Sequence, residues 1–365
     1  MARNRVIYQS EALFINKDAS LANGYKQLER VQSANYSFSI NRQDVNQYGQ
    51  LGKLDSIQLD APTVNADCSY YVTDGFTERA MGFFVATGAQ TSTAGGFVSG
   101  HLADGSGRNL IILTTPEGTD ADLPFRATGA TDSAIGIGNC YLSDYSVEMS
   151  VGSIPTASVS FDALNINSNQ VGAHGAGFDS PAIDPVNGTA LTNKVELPKA
   201  STGQGNTAAL RPGDITVNIS EFGGIPLADI GLGASGAHIQ SASLSVPMSR
   251  STLERLGSRS AYARSVDFPI QASLSVSAIL NEVEASNLAD IIDDEVEKTV
   301  TLSLKKDDGT TGILYTLKGV SFDGESISSS IGSNKSVDLT FSTSVGGPND
   351  TSHGVFMSGS SNTAV

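Results

Sequence analysis

The chain repeats itself, and the repeat limits its possible folds more than any other feature. Val31 to Gly49, VQSANYSFSINRQDVNQYG, returns as Ile239 to Gly257, IQSASLSVPMSRSTLERLG, at a constant displacement (239 − 31 = 208). Ser33 meets Ser241, Tyr36 meets Leu244, Phe38 meets Val246, Arg42 meets Arg250 and Gly49 meets Gly257. A second block, Ser146 to Ala163, returns as Ser326 to Thr343, with Gly152 on Gly332 (332 − 152 = 180) and Phe161 on Phe341. Two blocks recurring in the same order define a duplicated domain. The shorter second displacement means that copy two lacks about a loop's length between its blocks. In both copies small polar residues alternate with apolar ones, the pattern of a strand with one buried and one wet face.

The duplication predicts a mainly β chain of two tandem β-sandwich or barrel-like domains, each with a short flanking helix. Residues 1–166 form the first domain, 167–211 a linker, 212–345 the second domain, and 346–365 a polar tail expected to be mobile. Abundant Gly (38 of 365 residues), 16% charged residues and no Trp suit strands joined by Ser, Thr and Gly turns. Strands are expected at Val6–Ile15 and at Ser33–Asn41, with Ala34, Tyr36, Phe38 and Ile40 on the apolar face. The return runs along Ile57–Tyr71, where Pro62 marks a bulge or edge. Asn109–Thr115 matches Thr299–Lys305, and Ser143–Val151 forms a hairpin with Thr156–Ile166. A short helix is expected over Asp74–Phe84, capped by Asp74. Its counterpart starts at Asn281, with Glu284 completing a capping box before Leu288, Ile291 and Ile292.

Several function classes drop out on charge and spacing. A net charge of −16 and a pI near 4.5 argue against a nucleic-acid-binding surface. Cys68 and Cys140 make no disulfide framework, so a reducing compartment is expected, with Cys68 as a buried structural thiol. The start, MARNRVIYQSEALF, lacks the apolar core of a signal peptide, and no apolar run reaches the length of a membrane span. A soluble protein made in a cytosol, without membrane insertion, is the expectation. His101, His174, His238 and His353 stand far apart, as surface or loop histidines, without ligand spacing, so no metal or other cofactor is expected. Gly231, Gly233 and Gly236 spell G-x-G-x-x-G, but a strand follows where a dinucleotide site needs a helix. The acidic run Asp293, Asp294, Glu295, Glu297 reads as a solvated helix end. No catalytic constellation is present, and no enzyme is expected.

The polar faces carry Ser, Thr, Asn and Gln, punctuated by Asp67, Glu148, Asp162, Asp267 and Asp338. The repeat sets Asp67 against Ser273, Glu148 against Ser328, Asp162 against Ser342 and Asp338 against Ser158. The aligned strand interiors stay neutral or negative, and Lys and Arg are pushed to the turns, at Arg42, Arg250 and Lys335. Two explanations stand: a wet, negatively lined working surface, or the general acidity of the chain.

Ser33 to Gly75, SANYSFSINRQDVNQYGQLGKLDSIQLDAPTVNADCSYYVTDG, resembles the first hairpin and connecting loop of tail tube proteins of long-tailed bacteriophages. The duplication is similar to the form with two tube domains per chain in trimeric rings, over residues 31–166 and 239–345. The resemblance implies a structural virion protein whose rings stack around a channel for DNA. Four strands per copy and two copies in each of three chains give about two dozen strands, enough to enclose a wide channel and remove open edges. It implies the acidic residues above as channel lining, with DNA passing without specific binding. The loops Arg42–Ser56 and Arg250–Ala263, carrying Arg42, Tyr48, Gly49, Arg250, Leu256 and Gly257, would reach the neighbouring ring. Implied partners are other copies, tape measure, terminator and baseplate or tip proteins, in a virion tail assembled in the host cytoplasm. The alternative class is a virion or cell-surface adhesin of two β-sandwich domains.

Overall fold

The computed structural model describes residues 6, 11–16, 24–87, 95–102, 107–122, 132–171, 178–185, 187–198, 209–210, 215–219, 228–229, 238–257, 260–280, 282–283, 297–306, 309–329 and 334–360. Copy one opens with β1 (Glu11–Asn16) and a two-residue bridge, β2 (Lys26–Gln27). Then comes β3 (Val31–Ser39), followed by a small hairpin of β4 (Arg42–Val45) and β5 (Asp55–Gln58) and the return strand β6 (Thr63–Tyr71). A helix α1 (Phe76–Met81), β7 (Val85–Thr87) and one helical turn, α2 (Ser99–Leu102), lead to β8 (Arg108–Thr114). The next hairpin joins β9 (Asp132–Ser150) to β10 (Thr156–Ala163), and β11 (Asn165–Val171) runs back along β9. Between the copies β12 (Phe178–Asp179), β13 (Ile183–Asp184), β14 (Thr189–Ala190) and β15 (Lys194–Val195) form two minimal ladders. Copy two holds β16 (Ile215–Asn218), β17 (Ala228–Asp229), β18 (Ile239–Pro247), the hairpin β19 (Arg250–Leu253) and β20 (Ala263–Val266), and β21 (Ile270–Ile279). It continues through β22 (Glu282–Val283), β23 (Lys298–Lys305), β24 (Thr311–Ser328) and β25 (Ser336–Val345) to β26 (Gly354–Gly359).

The fold is mainly β, and the described residues form no closed barrel. Its centre is an antiparallel run of eight strands, β24-β25-β21-β18-β9-β10-β6-β3. Copy two supplies the first four and copy one the last four, and β18 pairs directly with β9. The repeat holds down to single residues. Val159 faces Cys68 in copy one and Leu339 faces Val276 in copy two. The bulge between Ser160 and Phe161 returns between Thr340 and Phe341, opposite Gly324 and Phe322. This register corrects one sequence equivalence: Asp67, opposite Ser160, matches Ser275, opposite Thr340, and not Ser273.

Alternation decides the faces. Val147, Val159, Phe161, Leu244, Leu274, Leu339 and Phe341 are fully buried, while the residues between them are wet or half-wet. Burying side chains of this size stabilises by about 1.5–3 kcal/mol each. The cover comes from the same long strands. The first half of β9 leaves the central run to pair with β8 and β11, and the first half of β24 pairs with β23 and β26. Under this cover Phe83 stacks on Phe97 at 4.3 Å, and Tyr145 of copy one bonds Tyr315 of copy two, hydroxyl to hydroxyl, at 2.8 Å.

Several expectations change. The loop after β3 is a hairpin, since Arg42 pairs with Gln58 and Val45 with Asp55; copy two repeats it. Within the stretch expected as a mobile tail a strand forms: Val355, Phe356 and Met357 are buried in β26, which pairs with β24 and, in parallel, with β7 of copy one. An apolar triplet flanked by Gly and Ser shows no alternation, so it does not read as a strand. The first helix is shorter than expected and starts after Gly75; Asp74 still accepts the Phe76 amide at 3.1 Å. It ends at Gly82, whose φ of +91° and contact with the Arg108 guanidinium leave no room for a Cβ. His101 is buried, not on the surface. The helix expected over Asn281–Ile292 lies outside the described residues apart from Glu282 and Val283, which pair with β17. His174, Asp293, Asp294, Glu295 and the Gly231–Gly236 motif also lie outside them.

Candidate functional site

The wet face of the central run is built almost entirely of small hydroxyls. One lateral row crosses all eight strands as Ser33, Ser69, Ser158, Ser146, Ser245, Ser273, Ser342 and Ser321, each directly opposite the next. Neighbours bond across strands where they approach, as Ser33 and Ser69 do at 2.6 Å. No Lys or Arg occurs in β3, β6, β9, β10, β18, β21 or β25.

Four of the five expected acids share this face. Asp67 is exposed on β6 and accepts from the Asn35 amide at 2.9 Å. Glu148 is exposed between Thr156 and Ser243, and Asp338 is exposed between Ser277 and Ser326. Both line one groove of ≈ 370 Å³ with Ser241, Ser243, Ser275 and Ser277. Asp162 is half-buried opposite Asn65. Asp267 does not join them: it follows β20, where it accepts from the Ser251 hydroxyl at 2.7 Å. Two further acids went unnoticed in the sequence. Asp144, opposite Ser160 and Pro247, sits in the lateral row of Asp67, and burial raises its pKa above the usual carboxylate value. Asp323 accepts from the Ser342 hydroxyl at 3.0 Å. Asp144 follows the alternation of Tyr145 and Val147, whereas Asp323 is the extra residue of the copy-two bulge, which alternation counting skips.

The two hairpins differ in their anchorage. Tyr48, at 104%, and Leu51, at 110%, are wholly exposed at the tip of one, and Leu256, at 103%, at the tip of the other. Gly49 and Gly257 turn the tips with φ near +87°. Arg250 reaches inward: its Nη2 donates to the His101 carbonyl at 2.8 Å and its Nε to the Leu142 carbonyl at 3.4 Å. The guanidinium lies 5.3 Å above the Tyr141 ring. Its counterpart Arg42 is exposed.

Several titratable side chains among the described residues are buried. Tyr70 donates to Glu78 at 3.0 Å, and burial raises the Glu78 pKa to about 7. Arg108 Nε donates to His101 Nδ1 at 3.3 Å, and burial followed by the nearby arginines holds His101 well below its ordinary pKa. Cys68 and Cys140 are free and buried, each pushed up to about 12 chiefly by burial. Among the described residues no three His, Cys, Asp or Glu side chains form a metal-binding group. No described helix is long and apolar enough to cross a membrane.

No family model matches the sequence. No curated protein matches it either. Among solved structures, one similar chain belongs to the anti-feeding prophage baseplate, determined by cryo-electron microscopy and six-fold symmetrised. It is 15% identical, spans 34% of this chain and 80% of its own, and superposes with a TM-score of 0.23. A likeness at that score identifies neither the fold nor the role of this chain.

Proposed function

We propose that this chain is the repeating subunit of a phage-type tail tube, a structural rather than catalytic virion protein. Three chains close a ring, rings stack, and the serine-rich acidic face lines a channel through which DNA passes. Tape measure, terminator and baseplate or tip proteins are its expected neighbours in the virion tail.

One observation carries this reading: the two copies form a linear repeat offset by a definite lateral step. The serine row enters copy one at Ser33 and copy two at Ser245, whereas the repeat equivalent of Ser33 is Ser241. Each four-strand copy therefore advances the row by four residues (245 − 241), one per strand. An eight-stranded barrel of shear eight has that same ratio, with strands tilted by about 36°. Closed barrels in general tilt by about 35–45°. Six copies at this step give about two dozen strands at the same tilt, around a lumen wider than that of a porin. A wall without Lys or Arg gives the phosphate backbone nothing to hold it.

Native mass spectrometry and negative-stain images of the purified full chain test the reading. Rings of three chains with six-fold-like appearance, alone or stacked, are expected. A chain that stays monomeric at all concentrations overturns it, and six chains per ring overturns the stoichiometry.

A further inference from the structure

The described edges of the central run are two halves of a junction that the chain has already made once. We propose that β3 of one chain pairs with the C-terminal half of β24 of a second copy, in the register of β18 on β9. This rests on the ring reading above, and adds which edge meets which and residue against residue.

The C-terminal half of β9 has β10 on one side and β18 on the other. In β24, the same strand of copy two, Ser326, Ile327 and Ser328 have β25 on one side and, among the described residues, no strand on the other. Likewise β18 lies between β21 and β9, whereas its equivalent β3 has, among the described residues, only β6. Exposure records the missing partner. Leu244, Val246 and Met248 are all 0% exposed, but Tyr36, Phe38 and Ile40 are 41%, 58% and 41% exposed. Across the junction Val147 is 0% exposed and its equivalent Ile327 is 46% exposed.

An unpaired strand with an apolar face recruits another strand. A second copy is the occupant because each edge matches, position by position, a partner already seated on its equivalent. Carrying the register across by 208 on one strand and 180 on the other, Leu244 on Val147 becomes Tyr36 on Ile327. Ser243 on Glu148 becomes Asn35 on Ser328, and Ser245 on Ser146 becomes Ser37 on Ser326. Arg42 then takes the place of Arg250, donating to the Phe322 carbonyl of the second copy as Arg250 donates to Leu142.

Paired cysteines in the full chain test this register. Asn35, Ser37, Ser326 and Ser328 are all exposed in the single chain, so substitution leaves the core intact, and the native Cys68 and Cys140 are buried. Mild oxidation of the Asn35→Cys, Ser328→Cys double variant is expected to link chain to chain, with covalent species ending at three chains on a non-reducing gel. The Ser37→Cys, Ser328→Cys variant is out of register by two residues; directly opposed Cα atoms suit a disulfide and diagonal ones do not, so its yield is expected on the order of tenfold lower. Equal yields from both variants, or monomer alone from the first, overturn the proposal. Wild-type micrographs separate the two levels: rings without the cross-link refute only this junction, whereas no rings refutes the tube reading as well.

Discussion

Glu78 has no exposed surface, and its carboxyl is held beside Tyr70 against the Tyr145–Tyr315 pair that bridges the two copies. Burial, with a smaller contribution from Asp74, moves its pKa from 4.5 to about 7. The folded state therefore holds a proton that the unfolded chain releases near pH 4.5. Stability from this group is complete below about pH 4.5, declines as pH rises towards 7 and is flat above. Glu78→Gln keeps an acceptor for Tyr70 and is expected to remove that decline, read as urea midpoints between pH 4 and 8; an unchanged slope would point to another group. The two equivalent arginines give a sharper contrast. Arg250→Ala is expected to lower unfolding stability by about 1–3 kcal/mol, because it strands buried carbonyls. Arg42→Ala is expected to change stability by less than about 0.5 kcal/mol while weakening assembly, so denaturation and sedimentation together separate the roles.

The hairpin β4–β5 raises Tyr48 and Leu51 clear of the body, and β19–β20 raises Leu256. Deleting Asn46–Lys53 removes no described core residue, so a soluble folded subunit is expected that forms rings and does not stack. Normal-length tubes from that variant in electron micrographs would count against a role between rings. The central strands were legible because period-two alternation shows directly in residues such as Ala34, Tyr36 and Phe38. Alternation says which side chains share a face, not what covers it, so the exposed apolar side of β3 was not foreseen. Nor does it see a slip of two residues, which keeps every face and moves every neighbour; hence Asp67 was set against Ser273. The serine row was invisible for the same reason, since its members belong to one line only once eight strands are in register. The β4–β5 hairpin and β26 were missed because each is short and flanked by Gly or polar residues.

Glu148 and Asp338 come from different copies yet line one groove, so the acidic face belongs to the joined sheet rather than to either repeat. Replacing both by Lys is expected to leave folding nearly unchanged, because both are exposed. Tubes of this variant are expected to retain DNA, most strongly at low ionic strength, where attraction to phosphate is least screened. Equal DNA release from variant and wild-type particles at two salt concentrations would remove these residues from the channel wall. The order of strands has one more consequence. Each copy brings an even number of strands, and β18 meets β9 antiparallel, as β3 would meet the next β24. Direction alternates without a fault however many copies are added, so backbone pairing has no preferred count. In the proposed ring the number of chains would then be set by curvature, through the twist and the paired bulges at Ser160 and Thr340. Ring size becomes a property of a few bent residues, open to change without altering a single edge.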